Sequence, residues 1–265
     1  MSGGRREPSA GRLLFKESMR IALFADIHAN REALEACLQH ARSQKIDRYA
    51  FLGDLVGYGA DPEWVLDTVM HHQENGAIVV LGNHDEAIFA RRDRTMHDDA
   101  QYAIEWTQSR LSERHKNYLL GLPKRVEVSD LLFVHANAWN PGRWQYITSV
   151  FEAKKSLSAT LHRFTFCGHL HEPDLYHQGM TGRVVSFKPV AGIDIPLGIH
   201  RRWLVVLGAV GQPRDGNPAA CYAVYDKIKN ILTYHRVPFD VDAPARKIRE
   251  AGLPAWLGAR LEGGL

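Results

Sequence analysis

Leu81-Gly82-Asn83-His84-Asp85 decides how this chain is read. The stretch follows the apolar run Ala77-Ile78-Val79-Val80, which has the length and β-branched content of a buried strand. A possible helix opens at Asp85-Glu86. Asn83 and His84 therefore fall where a strand ends and a loop begins, the usual place for chemistry on an α/β scaffold. Burying three adjacent polar groups unpaired costs roughly 2–7 kcal/mol each. They either close a local turn or serve a site. One such strand end taken alone reads as a turn; four further strand ends with the same load change that reading.

Working outward, residues 20–25 form a buried first strand that runs into Asp26-Ile27-His28. Side chains repeat every two residues in extended chain, which puts Asp26 and His28 on one side. That pair is half of a metal site or an Asp–His hydrogen bond at a helix entrance. Asn30 is a suitable cap for a helix over 31–44, whose Ala33, Leu34, Cys37, Leu38 and Ala41 form an apolar stripe. Residues 47–52 are the second strand, ending at Gly53-Asp54. Strand, helix, strand implies a right-handed crossover and parallel strands, which brings Asp54 near Asp26 and His28. Asp61 and Pro62 cap and start a second helix, and Asn75-Gly76 stops it before the Asn83-His84 strand end.

A helical cover is expected over about 86–120, with His97 and His115 on its surface. A hairpin over 124–134 delivers His135, and residues 137–147 have loop composition. A helix over 151–161 precedes a short buried strand, 164–167, that ends in Gly168-His169-Leu170-His171. Residues 184–187, 202–208 and 219–226 read as strands of a second sheet, with 231–237 as one more. Two short helical stretches around Pro254 close the chain.

The chain has 265 residues, 45% hydrophobic and 24% charged, the balance of a globular protein. A net charge of +3 is too small to argue for nucleic acid. Cys37, Cys167 and Cys221 are odd in number and widely spaced. They make neither a disulfide framework nor a CxxC zinc site, and a cytoplasmic location is expected. No apolar run approaches the ~18 residues that span a bilayer. Residues 1–18, with Arg5, Arg6 and Arg12, read as a flexible tail, and 19–265 as a single domain.

Collected, the strand ends give Asp26, His28, Asp54, Asn83, His84, His135, His169 and His171. These are nitrogen and oxygen donors without a thiolate, a set suited to transition metals. Eight groups exceed what one ion needs; two ions ~3.5–4 Å apart sharing a carboxylate would use them. Such a pair clamps phosphoryl oxygens and lowers the pKa of a bridging water, so the reaction implied is phosphate ester or anhydride hydrolysis.

The blocks Asp26-x-His28, Gly53-Asp54, Gly82-Asn83-His84-Asp85, His135 and Gly168-His169-x-His171 resemble those of the calcineurin-like metallophosphoesterases. The resemblance implies an α/β fold of two facing mixed β-sheets flanked by helices, in four layers. It implies that Asp26, His28, Asp54 and His171 hold one ion. Asp54, Asn83, His135 and His169 hold the other, and His84 faces the leaving group. The ions are divalent or trivalent transition metals, manganese first, with iron, zinc or nickel as alternatives. Residues 210–216 and Tyr222-Ala223-Val224 resemble a smaller bacterial branch of phosphodiesterase-like and diadenosine-polyphosphate-hydrolase-like proteins.

Protein Ser/Thr phosphatases carry Asp and Arg three and four positions after the bridging Asp, where this chain has Gly57 and Tyr58. The expected substrate is accordingly a small phosphodiester, nucleotide or dinucleoside polyphosphate, with no membrane or nucleic-acid partner. Arg31, Tyr58 and Arg143 are candidates to replace the lost phosphate contacts, each otherwise a surface or helix-start residue, and the Arg214 loop either meets phosphate or is a structural turn. The alternatives are a partner-binding scaffold on the same fold, or a protein phosphatase. The intact set of eight positions speaks against the scaffold.

Overall fold

The computed structural model describes residues 19–89 and 98–265. The expected tail with Arg5, Arg6 and Arg12, and His97, lie outside the described residues. The order begins with β1 (Arg20–Phe24), α1 (Arg31–Ser43), β2 (Arg48–Phe51), α2 (Pro62–Glu74) and β3 (Ile78–Val79). It continues with α3 (Asn83–Ala87), α4 (Asp98–Arg110), α5 (Glu113–Leu120), β4 (Arg125–Val128), β5 (Leu131–Val134) and α6 (Val150–Ser158). Then come β6 (Phe164–Cys167), β7 (Asp174–Gln178), β8 (Val184–Phe187), β9 (Asp194–Pro196) and β10 (Arg202–Val206). The chain closes with β11 (Ala220–Asp226), β12 (Ile231–Val237), α7 (Asp242–Glu250) and α8 (Ala255–Gly263).

The strands form two six-stranded mixed sheets, ordered β3-β2-β1-β11-β12-β9 and β4-β5-β6-β10-β7-β8. Strands β3, β2 and β1 are parallel, as are β5, β6 and β10. The period-2 alternation of side chains sorts residues into layers. Leu23, Phe133, Phe166, Val205 and Ala223 fill the space between the sheets. On the outer face of the first sheet, Ala22 and Phe24 pack against Leu34, Cys37 and Val65 of α1 and α2. On the outer face of the second, Val134 and Val206 pack against Ala153 and Leu157 of α6. The result is the expected helix–sheet–sheet–helix stack.

The structure differs from these expectations in two places and adds detail in two more. Strands β11 and β12 join the first sheet rather than a second one, because Ala22 pairs with Val224 in antiparallel register on the free edge of β1. The strands β7 and β9 were not legible; β9 is a three-residue edge strand. Among the described residues the helical cover consists of α3, α4 and α5. His115 is buried rather than on the surface, its Nε2 lying 3.1 Å from Asp67 Oδ1 where α5 packs on α2.

Candidate metal centre

Parallel strands β1, β2 and β3 of one sheet and β5 and β6 of the other deliver their carboxyl ends to one edge of the sandwich. There, Asp26, His28, Asp54, His84, His135, His169 and His171 are each 5% exposed or less. Their ligand atoms sort into two groups. Asp26, His28, Asp54 and His171 form one, and Asp54, His135 and His169 the other, each with all donor atoms within 4.8 Å. Asp54 belongs to both: its Oδ2 is 3.7 Å from His28 Nε2 and 3.3 Å from His135 Nε2. Asn83 joins the second group, its Oδ1 3.0 Å from His135 Nε2.

The local backbone that achieves this is not extended, so the alternation argument for Asp26 and His28 gives the right neighbours for the wrong reason. Asp26, His28, Asp54, His169 and His171 all have positive φ, between 48° and 70°. Left-handed backbone at non-glycine residues costs about 1–3 kcal/mol each and persists where the surroundings over-determine it. Here backbone hydrogen bonds do so. Asp26 N–H donates to Gly53 O at 3.1 Å, and both Ile27 and His28 N–H donate to Asp54 O at 2.9 Å. His169 N–H donates to Asp26 Oδ1 and Oδ2, at 3.1 and 3.0 Å, which ties the two sheets together across the site.

Asp85 is the structural member of the central stretch. Its Oδ1 accepts from Leu55 and Val56 N–H, at 2.9 and 3.1 Å, and its Oδ2 from Gly82 N–H at 3.0 Å. This closes the chain into a helix at Asn83, two residues before the start expected from sequence. It also brings Gly82 against Asp54. A Cβ at Gly82 would sit 2.1 Å from Asp54 N and 2.2 Å from its Oδ1, so only glycine fits.

The second ring nitrogen of each histidine fixes which atom faces the cluster. A carbonyl oxygen only accepts, so the nitrogen beside it carries the proton. Nδ1–H of His28, His135 and His171 donates to Val56 O, Leu52 O and Gln212 O, at 3.2, 2.7 and 2.6 Å. His169 is reversed, with Nε2–H donating to Trp144 O at 2.7 Å. A bare lone pair therefore faces another where His28 Nε2 meets His171 Nε2 at 3.1 Å, while His135 Nε2 lies 3.1 Å from His169 Nδ1 and 3.3 Å from Asp54 Oδ2. The first pair is an acceptor facing an acceptor and is not stable as it stands; in the second, a proton on His135 or a cation in its place relieves the contact. Ligands in adjacent positions on one ion, with bonds of about 2.1 Å, stand about 3 Å apart. The donor set fits a pair of cations.

The electrostatics point the same way. Burial holds His28 and His171 well below the usual imidazole range and His169 down to about 3, which keeps them neutral donors. Burial also opposes charge on His135, but Asp54 and Asp26 outweigh it and lift it to about 9. Burial would raise Asp54, yet His135, His84 and His28 hold it well below the carboxylate range. Burial, with the nearby Asp54, raises Asp26 to about 7. The field of the two carboxylates thus draws positive charge to the space between the clusters.

His84 sits beside the clusters rather than in them. Its N–H donates to Asp54 Oδ1 at 2.8 Å, and its ring packs 4.9 Å from that of His28 and 4.4 Å from that of Tyr58. Its buried Nδ1 has no hydrogen-bond partner, and it faces Gly57, where a Cβ would come within 2.7 Å. Of the four residues expected to meet phosphate, the structure brings Tyr58 and Arg214 to the site. Arg214 arrives because the chain after β10 crosses to the end of β1: Val210 and Gly211 N–H donate to Ala25 O and Asp26 O, both at 2.9 Å. Its guanidinium lies 5.9 Å from the Tyr58 ring. Arg31 instead pairs with Glu35 and covers Trp64 on the outer helices. Arg143 is exposed on a short turn, Pro141–Arg143. Its neighbours reach inward: Trp144 O holds His169, and the Tyr146 ring stacks on His169 at 4.1 Å. Sequence reasoning missed Trp144, Tyr146 and Gln212; the aromatic-rich loop composition was the one available signal.

Two sheets with this pair of clusters at their shared edge define a metallophosphoesterase-type fold and site. The Calcineurin-like phosphoesterase superfamily domain matches residues 19–229, and the chain belongs to that family. The uncharacterized protein MJ0912 of Methanocaldococcus jannaschii is 30% identical over 246 residues, covering 91% of this chain and 96% of that protein. The crystal structure of a metallophosphoesterase from Sphaerobacter thermophilus matches with a TM-score of 0.83 and 35% identity, over 94% of this chain and 100% of that one. Hypothetical protein PH1004 from Pyrococcus horikoshii shares the fold, with a TM-score of 0.75 and 18% identity, over 93% and 98% of the two chains.

Proposed function

We propose that the protein is a dinuclear metal-dependent phosphoesterase acting on a small phosphodiester, nucleotide or dinucleoside polyphosphate. Asp26, His28, Asp54 and His171 hold one ion, and Asp54, Asn83, His135 and His169 the other. One observation carries this reading: two pairs of imidazole nitrogens face each other at 3.1 Å on either side of a buried carboxylate common to both. Manganese is the first expectation, with iron, zinc and nickel able to use the same donors. Bound there, the ions would supply Lewis acidity toward phosphoryl oxygens and a lowered pKa for water.

The chain's own residues do the rest. His84 holds a proton for the leaving-group oxygen, its backbone anchored by the amide N–H bond to Asp54 and its ring oriented by the Tyr58 and His28 rings. Tyr58 and Arg214 meet the phosphate. Gly57 and Tyr58 stand where protein Ser/Thr phosphatases carry Asp and Arg, which favours a small substrate over a phosphoprotein. It also supports placement in the phosphodiesterase-like and diadenosine-polyphosphate-hydrolase-like branch. Residues 19–265 act as a single domain, supported by the two sheets each supplying part of the site. The three unpaired buried cysteines fit a cytoplasmic location, and no described helix is long and apolar enough to cross a membrane. The test is metal analysis with assays on p-nitrophenyl phosphate, its bis-ester and nucleotides under added manganese. Metal-dependent turnover is expected; absence of turnover on all of them contradicts the proposal.

A further inference from the structure

The donors assigned to the second position alone come from separate parts of the chain: Asn83 from α3, His135 after β5 and His169 after β6. Residues 137–147 bridge them. Trp144 O accepts the His169 Nε2–H at 2.7 Å, and the Trp144 ring meets the His135 ring edge-on at 5.8 Å. The Trp144 indole Nε1–H donates to Glu86 Oε2 at 2.9 Å, and Glu86 shares α3 with Asn83. Glu86 Oε1 in turn lies 2.5 Å from Lys124 Nζ, which stands 5.3 Å from the centre of the Trp144 ring.

Trp144 has φ 51° and ψ 31°, a left-handed backbone that is uncommon at a bulky residue and persists where the surroundings hold it. In that turn its carbonyl meets His169 while its indole meets Glu86. The loop is also fastened from within: Asn137 Nδ2 donates to Gln145 O at 2.9 Å, and Trp139 Nε1–H to Gln145 Oε1 at 2.8 Å. The first position is held elsewhere, His28 and His171 donating Nδ1–H to Val56 O and Gln212 O. The outer hydrogen bond of a ligating imidazole fixes its tautomer and ring orientation, and losing it costs about 10–100-fold in metal affinity.

We propose that the hydrogen bond between Glu86 and Trp144 is a latch that positions His169 for the second ion and leaves the first ion untouched. Glu86 and Trp144 are positioning residues, acting through His169 and not among the donors themselves. This rests on the two-ion reading above, and goes beyond it by tying occupancy of the second position to a contact between α3 and the 137–147 loop.

The test titrates manganese into the metal-stripped full chain and reads both affinities by calorimetry, without turnover. His135→Ala marks which of the two belongs to the second position. Trp144→Phe keeps a ring but removes the Nε1–H, and should weaken the second ion about tenfold with the first unchanged. Glu86→Ala should do the same, and Glu86→Gln, whose amide oxygen still accepts from the indole, should recover part of the loss. Trp144→Phe combined with Glu86→Ala should lose no more than either alone, since both break one contact. Thermal melting of each variant shows that the fold is kept. Affinities equal to wild type, or a loss shared by both ions, overturn the latch while leaving the two-ion reading intact. A wild type that binds fewer than two ions overturns that reading, and the latch with it.

Discussion

The two clusters share Asp54 but differ in charge. The first has two carboxylates and two imidazoles, Asp26, Asp54, His28 and His171; the second has one carboxylate, two imidazoles and the Asn83 amide. Opposite charge falls off with distance as well as with dielectric, so a cation beside two buried carboxylates is held more tightly than one beside a shared carboxylate. The difference teaches that the two positions are unequal by design of the strand ends. With ions bound as proposed, the first position is expected to be the tighter and the second the more exchangeable.

The largest expected effect comes from removing what they share. Asp54→Asn should empty both positions and lower kcat/KM by about 10³-fold or more, about 4 kcal/mol in the transition state. Metal analysis together with steady-state kinetics reads both. Asp85→Ala acts on the frame instead. It strips partners from three buried N–H groups, of Leu55, Val56 and Gly82, each costing about 1–3 kcal/mol when orphaned. Denaturant unfolding should show a loss of about 3 kcal/mol or more.

Next, His84→Ala should leave both ions in place while lowering kcat about 10²-fold, measured alongside metal content. Loss of metal in that variant would place His84 among the ligands and undo the division of roles. Asp26→Asn sharpens the comparison directly. An asparagine oxygen still accepts the His169 N–H, so the contact between sheets is kept while one charge is lost. Affinity for the first ion should fall about tenfold or more, with the second less affected, by metal titration. The smallest effect is expected far from the centre. Lys247→Ala removes a partly exposed cation from Glu32 and Asp61, and should shift stability by only about 0–1 kcal/mol.

Much of the centre was legible because its residues sit at strand ends, where the sequence changes abruptly from apolar to polar. Phe24 to Asp26, Leu52 to Asp54, Val134 to His135 and Cys167 to His169 are each such a break. What escaped depends on contacts between segments far apart in the chain. Gln212 and Trp144 act through their carbonyl oxygens, which any residue possesses, so no side-chain pattern marks them. Asp61 looked like a helix cap, yet makes no side-chain cap bond and instead accepts from Lys247 Nζ at 2.8 Å. Strand β11 was placed in the wrong sheet because alternation marks a strand without naming its neighbour.

The most direct measurement is anomalous diffraction from crystals of the manganese-loaded protein. The account predicts two peaks flanking the Asp54 carboxylate, about 3.5–4 Å apart, one beside His28 and His171 and the other beside His135 and His169. A single peak, or peaks held by other residues, would contradict it.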